Sequence, residues 1–216
     1  MKNRVFSVLI ITLFATTIAF SQEIKPGILA GINFQNLNGK NATGDKLEND
    51  LVIGYRAGVN VLFPIAPEIS FQPGLLFSVK GAKNPANGLD IKYKINYLEL
   101  PLNILYRGQL GNNYVLLGFG PYVAFALSGN VTVNDDKRKV TFQNTVETGD
   151  PATTPYLRRF DAGADIFAGY ELSNGLYLTI NTQLGLLKIN PEDKRNSSDE
   201  SVLKNTGFGL SAGFRF

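Results

Sequence analysis

From Gly207 to Phe216 every second residue is apolar: Phe208, Leu210, Ala212, Phe214 and Phe216 alternate with Gly207, Gly209, Ser211, Gly213 and Arg215. Successive side chains of a β-strand point to opposite faces, so this period of two makes one face apolar and leaves the other small or polar. The pattern recurs along the chain. Reading for it predicts eight strands, roughly Pro26–Leu37, Leu51–Phe63, Glu68–Lys80, Lys92–Arg107, Tyr114–Gly129, Arg158–Leu172, Leu176–Ile189 and Lys204–Phe216. Each is long enough for the roughly 9–11 residues of a tilted membrane strand, and longer than the roughly 5–6 residues common in soluble sheets.

The predicted connections alternate in size. Pro64–Pro67, Gly108–Asn113 and Ser173–Gly175 read as tight turns, built from residues that turns require. Between them lie longer polar segments, Asn38–Asp50, Gly81–Ile91, Asn130–Leu157 and Asn190–Leu203. At the amino terminus Lys2 and Arg4 precede an uncharged, mostly apolar run from Val5 to Phe20, and small residues at Ala19 and Ser21 follow the form of an export signal. The expected division is a signal peptide over 1–21, cleaved after Ser21, and a barrel domain over 22–216. Cleavage removes Lys2 and Arg4 and leaves 19 basic against 18 acidic residues, a balance that gives a nucleic-acid partner no support.

Export without a further apolar helix leaves a closed barrel as the way to satisfy every backbone hydrogen bond in lipid. The expected fold is therefore all-β: an eight-stranded antiparallel transmembrane up-and-down β-barrel with short periplasmic turns and long extracellular loops. An aromatic carboxyl-terminal residue on an alternating strand is typical of bacterial outer-membrane barrels, so the expected location is the cell outer membrane. A soluble barrel would carry the same alternation with its apolar face turned inward. Charge near the membrane midplane costs a few kcal/mol, which turns the charged face toward the lumen. Tyr55, Tyr93, Tyr97, Tyr106, Tyr122 and Tyr170 are candidates for interfacial girdles.

Inward assignment of the charged face makes Arg56, Glu99, Arg107, Arg159, Asp161, Asp165 and Arg215 the candidate site residues, a charge network filling a narrow lumen. Buried charges must pair, so the expectation is a plug, with Arg56, Glu99, Arg159 and Asp161 joined near mid-barrel. A narrow path for ions or small solutes is the alternative. Pro101, beside Glu99, cannot donate a ladder bond and is expected to mark a bulge or local edge. The stretch Gly207–Ala212 fits G-x-G-x-x-A, but the chain ends four residues later with no helix to follow, so it reads as small lumenal positions. The mixed charges at Asn134–Lys139 and Glu192–Glu200 lack calcium-ligand spacing and read as solvated loop.

Several segments resemble the PorT-like, porin-family outer-membrane β-barrel proteins of Bacteroidetes-type bacteria. Ile95–Leu102 is similar to that family's Tyr-Leu-Glu-hydrophobic-Pro strand, Gly118–Tyr122 to its Gly-x-Gly-Pro-Tyr strand, and Phe160–Gly163 with Ala168–Glu171 to the strand that follows. The resemblance implies this barrel and this location, while its members' roles are diverse; one branch takes part in secretion and maturation.

The chain has no Cys and no His, which removes disulfides, thiolate metal sites, the lipoprotein anchor and the commonest general base. An enzyme is not expected, nor a cofactor or metal. The expected role is structural, adhesive or docking. The expected partners are outer-membrane lipid, lipopolysaccharide and, through the C-terminal strand, the barrel assembly machinery.

Overall fold

The computed structural model describes residues 23–86 and 89–216. The export signal lies outside the described residues. Among the described residues thirteen strands follow one another: β1 (Lys25–Lys40), β2 (Val52–Ala66), β3 (Ile69–Ala86), β4 (Leu89–Leu110), β5 (Asn113–Val133), β6 (Asp136–Lys139), β7 (Thr141–Phe142), β8 (Thr145–Val146), β9 (Tyr156–Leu157), β10 (Phe160–Glu171), β11 (Leu176–Gly185), β12 (Glu192–Asp193) and β13 (Val202–Arg215). Eight of them close a ring in the order β1, β2, β3, β4, β5, β10, β11, β13, each antiparallel to its neighbours. Closure runs from Gly27 opposite Arg215 to Lys40 opposite Val202, so the ring has no free edge over that height.

The faces are resolved in favour of a membrane wall. Ile53 is 75% exposed, Leu186 65% and Phe119 63%, while Asn33, Gln35, Asn60, Glu99 and Asp161 are buried inside. A soluble carrier barrel would show the reverse. Phe34 stacks on Phe208 across the closing strand pair, their ring centroids 5.0 Å apart, adding a cross-strand contact to the ladder there.

Tight turns join strands at one end. Glu68 adopts φ 62° in the first and Gly111 adopts 62° in the second, while Gly175, in the third, adopts φ 90°. Glycine adopts positive φ without the steric penalty a Cβ brings.

The opposite end departs from expectation in three ways. The segment Gly81–Ile91, expected to be a loop, is mostly strand, because β3 and β4 run on together to the pair Ala86 and Leu89. Asn134 and Asp135, expected within a solvated loop, are the positive-φ pair of a tight hairpin joining β5 to β6, the geometry favoured by strand twist. The remainder of that segment and Asn190–Leu203 fold over the mouth, where β7 pairs with β9 and β8 with β12.

The bulge expected at Pro101 lies elsewhere. Register in β4–β5 shifts at Asn96/Tyr97 and in β2–β3 at Pro64/Ala66; Pro101 keeps its place opposite Tyr122. Of the girdle candidates, Tyr55, Tyr106 and Tyr170 face outward, but Tyr97 and Tyr122 are fully buried and Tyr93 packs against their cluster. The reason is parity: Tyr93 and Tyr97 share the inward face of Glu99, an even number of residues away on β4.

Candidate functional site

The lumen is filled in layers from the loop end to the turn end. At the loop end, Leu37, Ile95, Tyr97, Tyr122 and Val131 of the wall meet Val140, Leu157 and Ile189 of the mouth segments in one apolar cluster.

Below it lies a charged cluster whose cation is Lys80, not the Arg56 and Arg159 expected from the sequence. Lys80 on β3 places its Nζ 2.8 Å from Oε2 of Glu99 and 3.3 Å from Oδ2 of Asp161, with all three side chains at 0–1% exposure. The Gln183 amide donates to the other Glu99 oxygen at 2.6 Å. Asp161 also accepts from Asn205 at 2.9 Å and from the Tyr122 hydroxyl at 3.3 Å. The ammonium of Lys80 sits 4.0 Å from the centre of the Tyr122 ring, a cation–π contact out of reach of water. One cation thus serves two carboxylates, on β4 and β10, the strands that flank β5, where both stand opposite Ala124.

The third layer is looser. Arg56 donates through Nε to the Ser211 hydroxyl at 2.9 Å, and Asp165 accepts from Asn181 at 2.9 Å. Among the described residues no direct ion pair joins Arg56 to Asp165, although both border one cavity of 40 Å³ with Asn60, Gln72 and Asn103. That volume suits water rather than a solute. Beneath it Leu62, Leu105, Leu116 and Tyr177 form a second apolar layer.

At the turn end the stoichiometry inverts. Arg107 Nη2 lies 2.7 Å from Oε1 of Glu171, and Arg215 Nε lies 2.9 Å from its Oε2, so one carboxylate serves two cations. The Arg107 guanidinium also lies over the Tyr114 ring, 3.2 Å from its centre.

Six of the seven residues assigned to the interior from sequence line the lumen: Glu99 and Asp161 in one cluster, Arg56 and Asp165 around the cavity, Arg107 and Arg215 in the other cluster. Arg159 does not join them. It immediately precedes β10, donates to the Ala126 carbonyl at 3.1 Å and lies near the rings of Phe142 (4.7 Å) and Phe125 (5.2 Å). The expected four-membered mid-barrel network is thus replaced by one centred on Lys80.

Sequence reasoning also missed Glu171. Both signals are parity: Lys80 follows Gly74, Leu76 and Ser78 on the inward face of β3, and Glu171 follows Asp161 and Asp165 on that of β10.

The mouth segments hold each other by charge as well. Lys194 reaches Glu147 at 2.8 Å, and Arg195 pairs with Asp193 at 2.6 Å while donating to the Pro151 carbonyl at 3.2 Å. The Arg195 hydrogen bonds hold the Asp193 carboxyl below its ordinary value. Among the described residues no group of three Asp or Glu side chains is placed to hold a metal ion.

A closed ring with an apolar outer band and a charged interior defines a transmembrane β-barrel. A model of the family described as "Outer membrane protein beta-barrel domain" matches residues 20–190, and the chain belongs to that family of outer-membrane proteins.

Solved structures of similar shape include Neisserial surface protein A (8% identity, TM-score 0.47, covering 90% of this chain and 100% of that one). OprG from Pseudomonas aeruginosa is another (10% identity, TM-score 0.49, 89% and 94%). A third is Ail, the attachment invasion locus protein of Yersinia pestis, in complex with the heparin analogue sucrose octasulfate (12% identity, TM-score 0.43, 90% and 100%). No curated protein sequence matches the chain.

Proposed function

We propose that this protein is a closed, non-enzymatic outer-membrane barrel that works through its outer surface, in a structural, adhesive or docking role, rather than by passing solutes. The observation that carries this reading is the continuity of the lumenal filling. Apolar, charged, looser polar, apolar and charged layers succeed one another, and the cavity among them measures 40 Å³. An eight-stranded ring leaves little bore to begin with. The tied mouth segments support the same reading, because they present a folded surface instead of a flexible fringe.

In this reading the long-loop end faces outward and both termini face the periplasm. The chain is delivered by a signal cleaved after Ser21, and its C-terminal strand engages the barrel assembly machinery. The PorT-like motifs around Glu99 and Pro121 are compatible with an accessory role in secretion.

The test is electrical. The refolded protein in planar bilayers should show no steady conductance, and liposomes carrying it should not swell in small sugars. A sustained single-channel current would overturn the plug and favour a narrow pore. Orientation is tested separately: cysteines introduced at Asp136 and Asn196 should label on intact cells, and one at Asn174 should not.

A further inference from the structure

The strands β4, β5 and β6 continue above the apolar band as an upright sheet, and its outward face carries a cluster of lysines. Register fixes the arrangement. Lys92 on β4 stands opposite Thr132 on β5, which stands opposite Lys137 on β6; one row nearer the membrane, Lys94, Asn130 and Lys139 are aligned in the same way. Antiparallel partners share a face, so all four lysines point to one side. That side is the outer one, because the alternating positions Tyr93, Ile95 and Val131 belong to the apolar cluster inside.

All four lysines are exposed. Among the described residues none of them makes an ion pair. Of the neighbouring acidic groups, Asp90 is engaged with Lys83 at 3.0 Å and Asp136 with Arg138 at 2.9 Å, the latter on the opposite face of β6, while Asp135 lies at the tip of the hairpin.

Strand spacings set the patch at about 7 Å along the strands by about 10 Å across them. Directly below, the same face turns apolar at Leu98 and Leu100 on β4 and at Leu127 and Phe125 on β5. Lys94 is four residues past Leu98, about 13 Å along a tilted strand and so about 10 Å higher. That is the depth of the headgroups around a barrel whose apolar band lies in hydrocarbon.

We propose that Lys92, Lys94, Lys137 and Lys139 form a docking surface for the phosphate groups of outer-leaflet glycolipid, fixing a layer of anionic headgroups against the β4–β6 side of the barrel. Charge complementarity and position select this occupant: the ammonium groups point sideways over the lipid, not upward to the solvent, and long flexible lysines can converge on phosphates at several spacings. The proposal rests on the outward orientation of the long-loop end taken above.

Native mass spectrometry of the refolded mature protein in neutral detergent tests it without reference to orientation. The probes are phosphorylated lipid A and the same lipid dephosphorylated. The wild-type protein should retain the phosphorylated form preferentially. The variant Lys92→Gln/Lys94→Gln/Lys137→Gln/Lys139→Gln should lose that retention by about tenfold or more. The two half-patch variants, Lys92→Gln/Lys94→Gln and Lys137→Gln/Lys139→Gln, should fall between, which guards against a folding defect in the full set. Arg138→Gln, on the other face of β6, should behave as wild type. Equal retention of both lipids, or retention untouched by the fourfold variant, overturns the proposal. So does lysine-dependent binding of a soluble sulfated polysaccharide with no preference between the two lipids. Because channel recordings and cysteine labelling are read separately, failure here is distinguishable from failure of the plug or of the orientation.

Discussion

The barrel is closed twice, by different physics. At membrane depth the seal is electrostatic: Lys80 holds Glu99 and Asp161 together from three strands in a space without solvent. At the mouth the seal is apolar, with Val140, Leu157 and Ile189 packed among wall residues. The two places differ in what their surroundings allow. Side chains fixed on a rigid ring can hold charges at hydrogen-bond distance, and the alternation that turns apolar residues to lipid leaves polar ones for the interior. Mouth segments have no lipid to satisfy and bury apolar surface as a soluble core does. A seal of paired charges tolerates loss of neither sign; an apolar seal degrades by increments.

That contrast can be broken most severely at Lys80. Replacing it with Met leaves two buried carboxylates facing each other unpaired and should destabilise the barrel by about 3–5 kcal/mol, read from urea unfolding in detergent. Combining Lys80→Met with Glu99→Gln and Asp161→Asn should recover most of that loss; failure to recover would mean that Lys80 acts by packing and not by charge. Glu99→Ala should cost on the order of 3 kcal/mol, since Lys80 keeps Asp161 but loses its nearer partner.

At the mouth, Ile189→Ala should cost about 2–3 kcal/mol of local stability. Its signature should be faster hydrogen exchange in residues 140–157 with little change in the exchange of β10 and β11. Equal loosening of the wall would erase the distinction between the two seals. The smallest effect concerns acid. The Asp193 carboxyl is depressed by its bonds from Arg195, so its contribution is present above the ordinary carboxylate range and is lost as pH falls through its lowered value. Below about pH 4 the mouth segments should become more sensitive to protease. Asp193→Asn should show much of that sensitivity at neutral pH and little further change in acid.

The wall was legible in the sequence because lipid enforces alternation: Ile53, Tyr55, Val59 and Phe63 on β2 face outward as their spacing requires. The lumen was half legible. The predicted third strand ended at Lys80 and left that residue out of the interior set, whereas β3 continues six residues further to Ala86 and its parity carries Lys80 inside. Tyr97 and Tyr122 were misplaced by reading tyrosine as an interfacial residue without counting from Glu99. Nothing in the composition of 140–157 or 190–203 announces that these stretches pair with one another. Their pairings are between two-residue strands and depend on the barrel bringing them together.

That last dependence has a consequence in time. Val140 and Leu157 precede β10, whereas Ile189 follows β11, and the cluster they form also needs Leu37 from β1 and Leu203 from β13. The mouth therefore cannot assemble on a nascent or half-inserted chain; it requires the first and last strands already joined. Its surface is a certificate of completion. Any molecule that recognises the folded mouth would ignore unfinished barrels and engage only those whose closure is done.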